Sequence, residues 1–146
     1  DEFHRQILIE VEACHSRNLD VRFEDKFVED DDFQIYFNAS NFVVLPFENI
    51  LNSGSALLAM SFGKIIIAPD IGALSEVIPD FGWISYEDGC NNLLPALKIA
   101  LEHGNIGTTE HDIIEYTKRT FDWIHNGQKV ESLYRKITEV HQEVGE

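Results

Sequence analysis

Apolar residues follow the helical period in several blocks of the chain. Near the N-terminus, Phe3, Ile7, Leu8, Val11 and Cys14 recur every three or four positions, which is the spacing of one face of an amphipathic helix. Similar patterns recur further along, and the predicted helices cover residues 2–16, 33–38, 55–62, 93–101, 109–120 and 130–140.

Apolar segments of a different kind lie between these helices. Residues 41–45 (NFVVL) and 64–68 (KIIIA) are continuous runs that stop at a proline, and residues 83–86 predict a third strand. Residues 19–23 alternate between apolar and polar positions, which predicts a further short strand. Strands that are apolar throughout and alternate with helices form parallel sheets that are covered on both faces. The predicted fold class is therefore α/β, a doubly wound, Rossmann-like parallel sheet flanked by helices.

The size and charge of the chain exclude some functions. Its 146 residues correspond to one domain, so residues 1–146 are predicted to form a single domain. The 26 acidic and 11 basic residues give a net charge of −15, and such a surface repels nucleic-acid phosphates and anionic lipids. The acidic run Glu24–Asp32 is interpreted as a solvated loop that leads into a helix N-terminus, where carboxylates are favoured.

Cysteine and histidine usage bears on compartment and cofactors. Cys14 and Cys90 are isolated in the sequence, which is typical of reduced thiols in a cytoplasmic protein. The polar N-terminus has no signal-peptide pattern, and no stretch approaches the roughly 18 apolar residues that a transmembrane helix needs. The six histidines have no cysteine or acid at ligand spacing. We therefore predict a cytoplasmic location, no transmembrane segment, no metal and no cofactor.

Two loops that follow predicted strands carry the candidate chemistry, since ligands of such sheets bind beyond the carboxyl ends of the strands. In the first loop, the small polar residues 52–55 (NSGS) precede an apolar helix. They predict either an anion site on the helix N-terminus or ordinary helix capping. In the second loop, Glu76 either stabilises the helix dipole or accepts a hydrogen bond from a ligand hydroxyl.

The stretch from Leu45 to Ile78, LPFENILNSGSALLAMSFGKIIIAPDIGALSEVI, resembles the donor-binding half of GT-B glycosyltransferases, and more narrowly the retaining "glycosyl transferases group 1". The features that match are a proline closing a buried strand, the helix segment 59–63 (AMSFG), an aliphatic strand after a basic residue, and a turn with Gly72, Glu76 and Val77. Downstream, residues 121–123 (FDW) and Tyr134 resemble the family's terminal helix, which usually crosses back to the other half of the enzyme. The resemblance covers roughly residues 19–137.

The resemblance implies a nucleotide-sugar-binding domain whose full enzyme, of hexosyltransferase type, transfers a sugar from a nucleotide diphosphate sugar to an acceptor with retention, in glycan or cell-envelope biosynthesis. It implies the following site residues, carried over by position. The donor diphosphate lies on Asn52, Ser53, Gly54 and Ser55, the sugar pocket includes Glu48, Asn49 and Glu76, and the nucleobase loop includes Phe27 and Val28. No catalytic residue is assigned, and Glu48 is the candidate.

The sequence differs from the family pattern in two respects. Ile50 and Leu58 occupy the positions of a glutamate pair that contacts the sugar and the ribose in the family. The usual first strand, with its Gly-rich turn and its Arg and Lys, has no counterpart, and neither has the acceptor-binding half. We therefore expect a donor half that lacks its first strand, has the acceptor half as its partner and is inactive alone. The alternative is a non-catalytic Rossmann-like module that binds a nucleotide or a protein.

Trp83 and Trp123 are predicted to be core anchors and not platforms for sugar stacking.

Overall fold

The computed structural model describes residues 2–50, 53–87, 90–103 and 108–143. The chain divides into two compact units, residues 1–33 and residues 34–146. In the first unit, helix α1 (Glu2–Ser16) is followed by a turn, an irregular segment and a short 3₁₀ helix (Asp30–Asp32). Helix α2 (Phe33–Ala39) begins at the last residue of the first unit.

The end of α1 is formed by local hydrogen bonds. Asn18 adopts a left-handed conformation with φ of 62°. Its N–H donates to the carbonyl of His15 at 2.9 Å, and the N–H of Leu19 donates to the carbonyl of Cys14 at 3.1 Å. This pair of bonds is the Schellman arrangement, which satisfies free carbonyls at a helix end and reverses the chain. Asparagine tolerates the left-handed conformation better than most residues.

The second unit alternates strands and helices before it ends in helices. Its elements in chain order are β1 (Phe42–Val44), α3 (Gly54–Ser61), β2 (Ile65–Pro69), α4 (Leu74–Val77), β3 (Trp83–Tyr86), α5 (Cys90–His103), α6 (Glu110–Phe121) and α7 (Trp123–Glu143). Within the described residues, the strands form one parallel sheet in the order β1-β2-β3. Phe42 lies opposite Ile65, and Ile66 lies opposite Trp83. The predicted α/β class with a parallel sheet flanked by helices is confirmed.

The core forms around the central strand. Every residue of β2 is buried, and because successive side chains point to opposite faces, both faces of the sheet are covered there. Helix α3 contributes Ala56, Ala59 and Met60, which are fully buried. Trp83 is only 9% exposed, and its indole Nε1–H donates to the carbonyl of Ala68 at 3.2 Å, so it is the predicted core anchor.

Three predictions about individual segments were wrong. Residues 19–23 form no strand, and Leu19 and Val21 are 53% and 36% exposed, because a strand needs a neighbour with which to exchange hydrogen bonds. Strand β1 is not buried on both faces, since it lies at the edge of the sheet and leaves Val44 39% exposed. Trp123 is 90% exposed at the start of α7 and does not anchor the core.

The remaining segment predictions agree with the structure in outline. The acidic run 24–32 is exposed and leads through the 3₁₀ helix into α2, as interpreted. The last helix begins earlier than predicted, at Trp123, and continues through Gly127. Along α7 a set of large apolar side chains stays exposed, comprising Trp123, Ile124, Val130, Leu133, Tyr134 and Ile137.

The end of α3 packs closely against the start of α6. Gly63 follows the helix with φ of +71°, and a Cβ atom added there would lie 2.6 Å from the backbone oxygen of Glu110. The next residue, Lys64, has a side chain that is only 4% exposed, and its Nζ lies 2.5 Å from a carboxylate oxygen of Glu110. A buried ammonium group requires such a partner, because an unpaired charge is costly away from water. The missing side chain of Gly63 therefore permits the approach that pairs Lys64.

Candidate functional site

The carboxyl ends of β1 and β2 lie at the same edge of the sheet, since the two strands are parallel. The chain leaves β1 through residues 45–53 and enters α3, and it leaves β2 through residues 70–73 and enters α4. The two loops that the sequence analysis chose as candidates for ligand binding therefore start from the same edge of the sheet. In α/β sheets this edge is where ligands bind.

Helix α3 presents its N-terminus at the end of the first loop. Ser53 is the N-cap, with φ of −136° and ψ of 108°, and its Oγ accepts a hydrogen bond from the N–H of Ala56 at 3.0 Å. Ser53 is 6% exposed, so its hydroxyl is a structural cap that holds the first turn in place. The first N–H groups of a helix have no hydrogen-bond partner within the helix. The N–H groups of Gly54 and Ser55 are among them.

Gly54 and Ser55 are the accessible residues of this turn. Both are exposed, and a Cβ atom added to Gly54 would meet nothing within 4 Å. The backbone at Gly54 is therefore open to a group that approaches from outside. A partial positive charge at the helix N-terminus and unpartnered N–H groups together favour an anion such as a phosphate.

The second loop turns sharply before α4. Asp70 donates its N–H to the carbonyl of Tyr86 at 2.9 Å, and Gly72 adopts φ of 60°. Leu74, at the start of α4, is 1% exposed and fixes the helix against the core. Glu76 is exposed in the first turn of α4, so its carboxylate is accessible and also favoured by the helix dipole. Both interpretations of Glu76 remain open.

The predicted sugar-pocket residues of the first loop are accessible. Glu48 and Asn49 are exposed, whereas Ile50 packs against the hydrophobic core. Leu58, the other position at which the family has a glutamate, is half-buried in α3. A carboxylate that follows the family pattern is therefore absent at both positions, and Glu48 is the acidic group of this loop.

The structure does not describe where three predicted residues lie relative to this site. Asn52 lies outside the described residues. Phe27 and Val28 lie in the first unit, in the irregular segment after α1, where Phe27 is 78% exposed and Val28 is half-buried. The assignment of these three residues to the donor stays a prediction.

The loops at the strand ends are acidic. Residues 45–55 and 70–76 contain Glu48, Asp70 and Glu76 and have no lysine or arginine. For an anion, these loops therefore offer backbone N–H groups and no basic side chain. Among the described residues, no group of three His, Cys, Asp or Glu side chains is placed to hold a metal ion.

A groove of about 1050 Å³ along α6 was not anticipated from the sequence. It lies between Phe81 and the exposed face of α6, where Tyr116 packs edge-on against Phe81 with ring centroids 5.7 Å apart. Both signs of charge line it, for example Glu115 and Lys118. No sequence pattern predicts this groove, because only the tertiary fold brings its residues together.

A capping box at the start of α6 accounts for the one resolved perturbation of a pKa in the described residues. The hydroxyl of Thr109 donates to the carboxylate of Asp112 at 2.7 Å, and the backbone N–H of Thr109 donates to it at 2.9 Å. These hydrogen bonds, the hydroxyl first, lower the pKa of Asp112 below its ordinary value of 3.8. The perturbation is a feature of helix capping and does not mark a reactive acid.

Comparisons with known proteins place the fold. No protein-family model matches the sequence, and no curated protein matches it. Among solved structures, the chain is similar to the sucrose-phosphate synthase from Thermosynechococcus elongatus, with a TM-score of 0.72 and 23% sequence identity. The similarity covers 93% of this chain and 34% of the synthase chain, so this chain spans about a third of that protein's length.

The similarity shows that this chain shares the fold of that part of the synthase. The parallel sheet flanked by helices matches the Rossmann-like half of a GT-B enzyme. In the part of the chain that the structure describes, no helix is both long and apolar enough to cross a membrane.

Proposed function

We propose that this chain is the C-terminal, donor-binding half of a retaining GT-B glycosyltransferase of hexosyltransferase type. The full enzyme transfers a sugar from a nucleotide diphosphate sugar to an acceptor. The observation that supports this proposal most strongly is the geometry at the start of α3. There, Ser53 orders the first turn, and the backbone at Gly54 is open to an approaching group. The solved structure of similar fold supports this proposal, since by its name it is a synthase of sucrose phosphate.

In this proposal the N-terminus of α3 stabilises the leaving diphosphate. As the bond to the sugar breaks, negative charge accumulates on the phosphate oxygens. N–H groups that are already oriented by the helix stabilise that charge without reorganising, which lowers the barrier. The N–H groups of Gly54 and Ser55 perform this task, and we assign no metal and no cofactor to it. Asn52 and the backbone of Ser53 stay assigned to the same diphosphate.

The other predicted residues take their roles around this centre. Glu48 and Asn49 in the first loop and Glu76 in α4 are proposed to accept hydrogen bonds from sugar hydroxyls, and Glu48 is the candidate for a catalytic group. Phe27 and Val28 are proposed to contact the base. The setting that we propose is glycan or cell-envelope biosynthesis in the cytoplasm.

A second polypeptide segment is required for catalysis in this proposal. The acidic loops need basic side chains from elsewhere to bind a diphosphate well, and the exposed apolar side chains of α7 need a cover. We propose that the preceding strand and the acceptor-binding half supply both. The chain alone is then expected to fold and to show no sugar transfer.

A non-catalytic nucleotide-binding or protein-interaction module is the second candidate. It is favoured by the apolar residues Ile50 and Leu58 at the positions of the family's glutamates. Sugar transfer by this chain joined to its acceptor half would reject the second candidate. Nucleotide binding without any transfer would favour it.

The decisive experiment compares two substitutions of Gly54 by calorimetry with UDP, ADP and GDP. Since a Cβ atom at Gly54 meets no protein atom within 4 Å, neither Gly54→Ala nor Gly54→Val should change folding. Gly54→Val should weaken binding about tenfold or more, because its branched side chain fills the approach to the N–H groups, whereas Gly54→Ala should have a smaller effect. Equal affinity of Gly54→Val and the parent would show that the phosphate binds elsewhere.

A further inference from the structure

Two histidines lie on one face of α1 and contact the chain that follows the helix. His4 and His15 are about three helical turns apart, which places their side chains above one another on the same face. The segment from Leu19 to Asp25, here named the return segment, follows the Schellman turn at the end of α1. The turn directs the chain back along the helix.

Each histidine holds one end of the return segment. The Nε2–H of His15 donates to the carbonyl oxygen of Val21 at 2.6 Å. The Nδ1–H of His4 donates to the carboxylate of Asp25 at 2.7 Å, and its ring packs edge-on against Phe23 with centroids 5.4 Å apart. These contacts tie the return segment to α1 near both of its ends.

The distances along the chain agree with this arrangement. A helix rises 1.5 Å per residue, so His4 and His15 are separated by about 16 Å along the axis. An extended chain covers at most about 14 Å between Val21 and Asp25. With the added reach of the two imidazole rings and the Asp25 side chain, the segment is therefore long enough to contact both histidines as it runs towards the N-terminus of α1.

The return segment has little else to fix its course. It forms no ladder with a strand in the described residues, and Leu19 and Val21 are largely exposed. Its other ion pairs are local and exposed: Arg22 pairs with Asp20 at 3.4 Å, and Glu24 pairs at 3.0 Å with Lys26, which follows the segment directly. Among the contacts described for these residues, those of His4 and His15 tie the return segment to α1.

Lys26, Phe27 and Val28 follow directly after Asp25, and the last two form the proposed nucleobase loop. We infer that His4 and His15 are positioning residues for the nucleobase: they anchor the return segment, and the anchored segment holds Phe27 and Val28 in place. This inference rests on the proposed function for its ligand, whereas the anchoring is a property of the first unit alone. The inference assigns neither histidine a role in binding the diphosphate.

The experiment compares His4→Leu and His15→Leu with the parent chain, with Arg22→Gln as the matched control in the same segment. Hydrogen exchange is measured over residues 19–28. The loss of one exposed ion pair corresponds to a change of up to about fivefold in an equilibrium. We expect exchange to accelerate by about two- to fivefold in His4→Leu and His15→Leu. The effect of Arg22→Gln should be smaller, because the Arg22–Asp20 pair lies within the segment and does not join it to α1. Asp25→Asn, which keeps an oxygen acceptor for His4, should have a smaller effect than His4→Leu.

Binding of UDP, ADP, GDP and inorganic pyrophosphate is measured on the same variants, each joined to the preceding strand and the acceptor-binding half. For whichever nucleoside diphosphate the parent binds, His4→Leu should weaken affinity about two- to fivefold and leave pyrophosphate affinity unchanged. A merely structural loss would weaken both ligands together and would overturn the positioning role.

The remaining outcomes are also decisive. Unchanged exchange in both histidine variants would overturn the anchoring. Unchanged nucleotide affinity, with a parent that binds, would overturn the positioning role and leave the proposed function intact. If the parent chain, joined to the preceding strand and the acceptor-binding half, binds neither nucleotide nor pyrophosphate, the proposed function and the positioning role are both overturned, whereas the exchange measurement would still decide the anchoring.

Discussion

Gly63→Ala tests how the end of α3 packs against α6. Gly63 has φ of +71°, a conformation in which a residue with a Cβ atom loses roughly 1–2 kcal/mol. The added Cβ would lie 2.6 Å from the backbone oxygen of Glu110 and 2.8 Å from its Cβ, so α6 would have to move by several tenths of an ångström. Such overpacking costs about 1–3 kcal/mol. We therefore expect a total loss of about 2–5 kcal/mol in the free energy of unfolding.

The assay is urea unfolding together with a thermal melt, and Gly54→Ala is the control. For a chain of this length each kcal/mol corresponds to about 4 °C, so Tm should fall by about 8–20 °C in Gly63→Ala. Gly54→Ala adds the same methyl group where nothing lies within 4 Å and should change stability by less than about 0.5 kcal/mol.

A second mechanism adds to the expected loss. Displacement of Glu110 also separates its carboxylate from the buried ammonium of Lys64. The free energy of unfolding of Gly63→Ala could instead lie within about 0.5 kcal/mol of the parent value, as is expected for the control. In that case α3 and α6 do not approach each other as described, and the reasoning fails.

Three further changes test other parts of the chain. Gly127→Ala, inside α7 with nothing within 4 Å of the added Cβ, should stabilise the protein by about 0.4–1 kcal/mol in urea unfolding, and destabilisation would contradict a continuous helix. Leu58→Glu should create a preference for ribo- over deoxyribonucleoside diphosphates in titrations, whereas a loss of several kcal/mol without that preference would assign Leu58 to the core and reject the alignment. The pKa of Asp112 is lowered in the folded protein, so its carboxylate stabilises the fold above its unfolded value of 3.8, and this stability is lost as pH falls through the folded pKa. Asp112→Asn should therefore destabilise the protein at pH 7 and less at pH 3, and an equal difference in urea midpoint at both pH values would contradict the capping box.

The sequence predicted those features that depend on neighbours in the chain. Ser53 precedes an apolar helix and is its N-cap, because capping needs only a side-chain oxygen and the next turn. The apolar run at residues 64–68 is the buried strand β2, with a shift of one residue. Local rules therefore placed α3, β2 and the loop between β1 and α3 that carries the candidate site.

Features that depend on distant partners were not predictable in the same way. Strand β1 has the same apolar pattern as β2 but lies at the edge of the sheet that the described residues form. Nothing in residues 41–45 distinguishes an edge strand from a central one. The alternation at residues 19–23 is typical of a strand, yet a strand exists only when another one is placed beside it. Trp123 is a large apolar residue of the kind that usually lies in a core. Its exposure depends on what α7 packs against.

The central position of β2 also determines how the sheet assembles during folding. The register joins Phe42 to Ile65 and Ile66 to Trp83, so both pairings close chain loops of similar length that each contain a helix. Loop-closure entropy changes slowly with loop length, so neither pairing has a marked advantage over the other. Since β1 and β3 meet only through β2, neither edge strand can pair before the central strand is in place. The transition state for folding is therefore expected to contain β2 with one neighbour, and the second neighbour to join afterwards on either side.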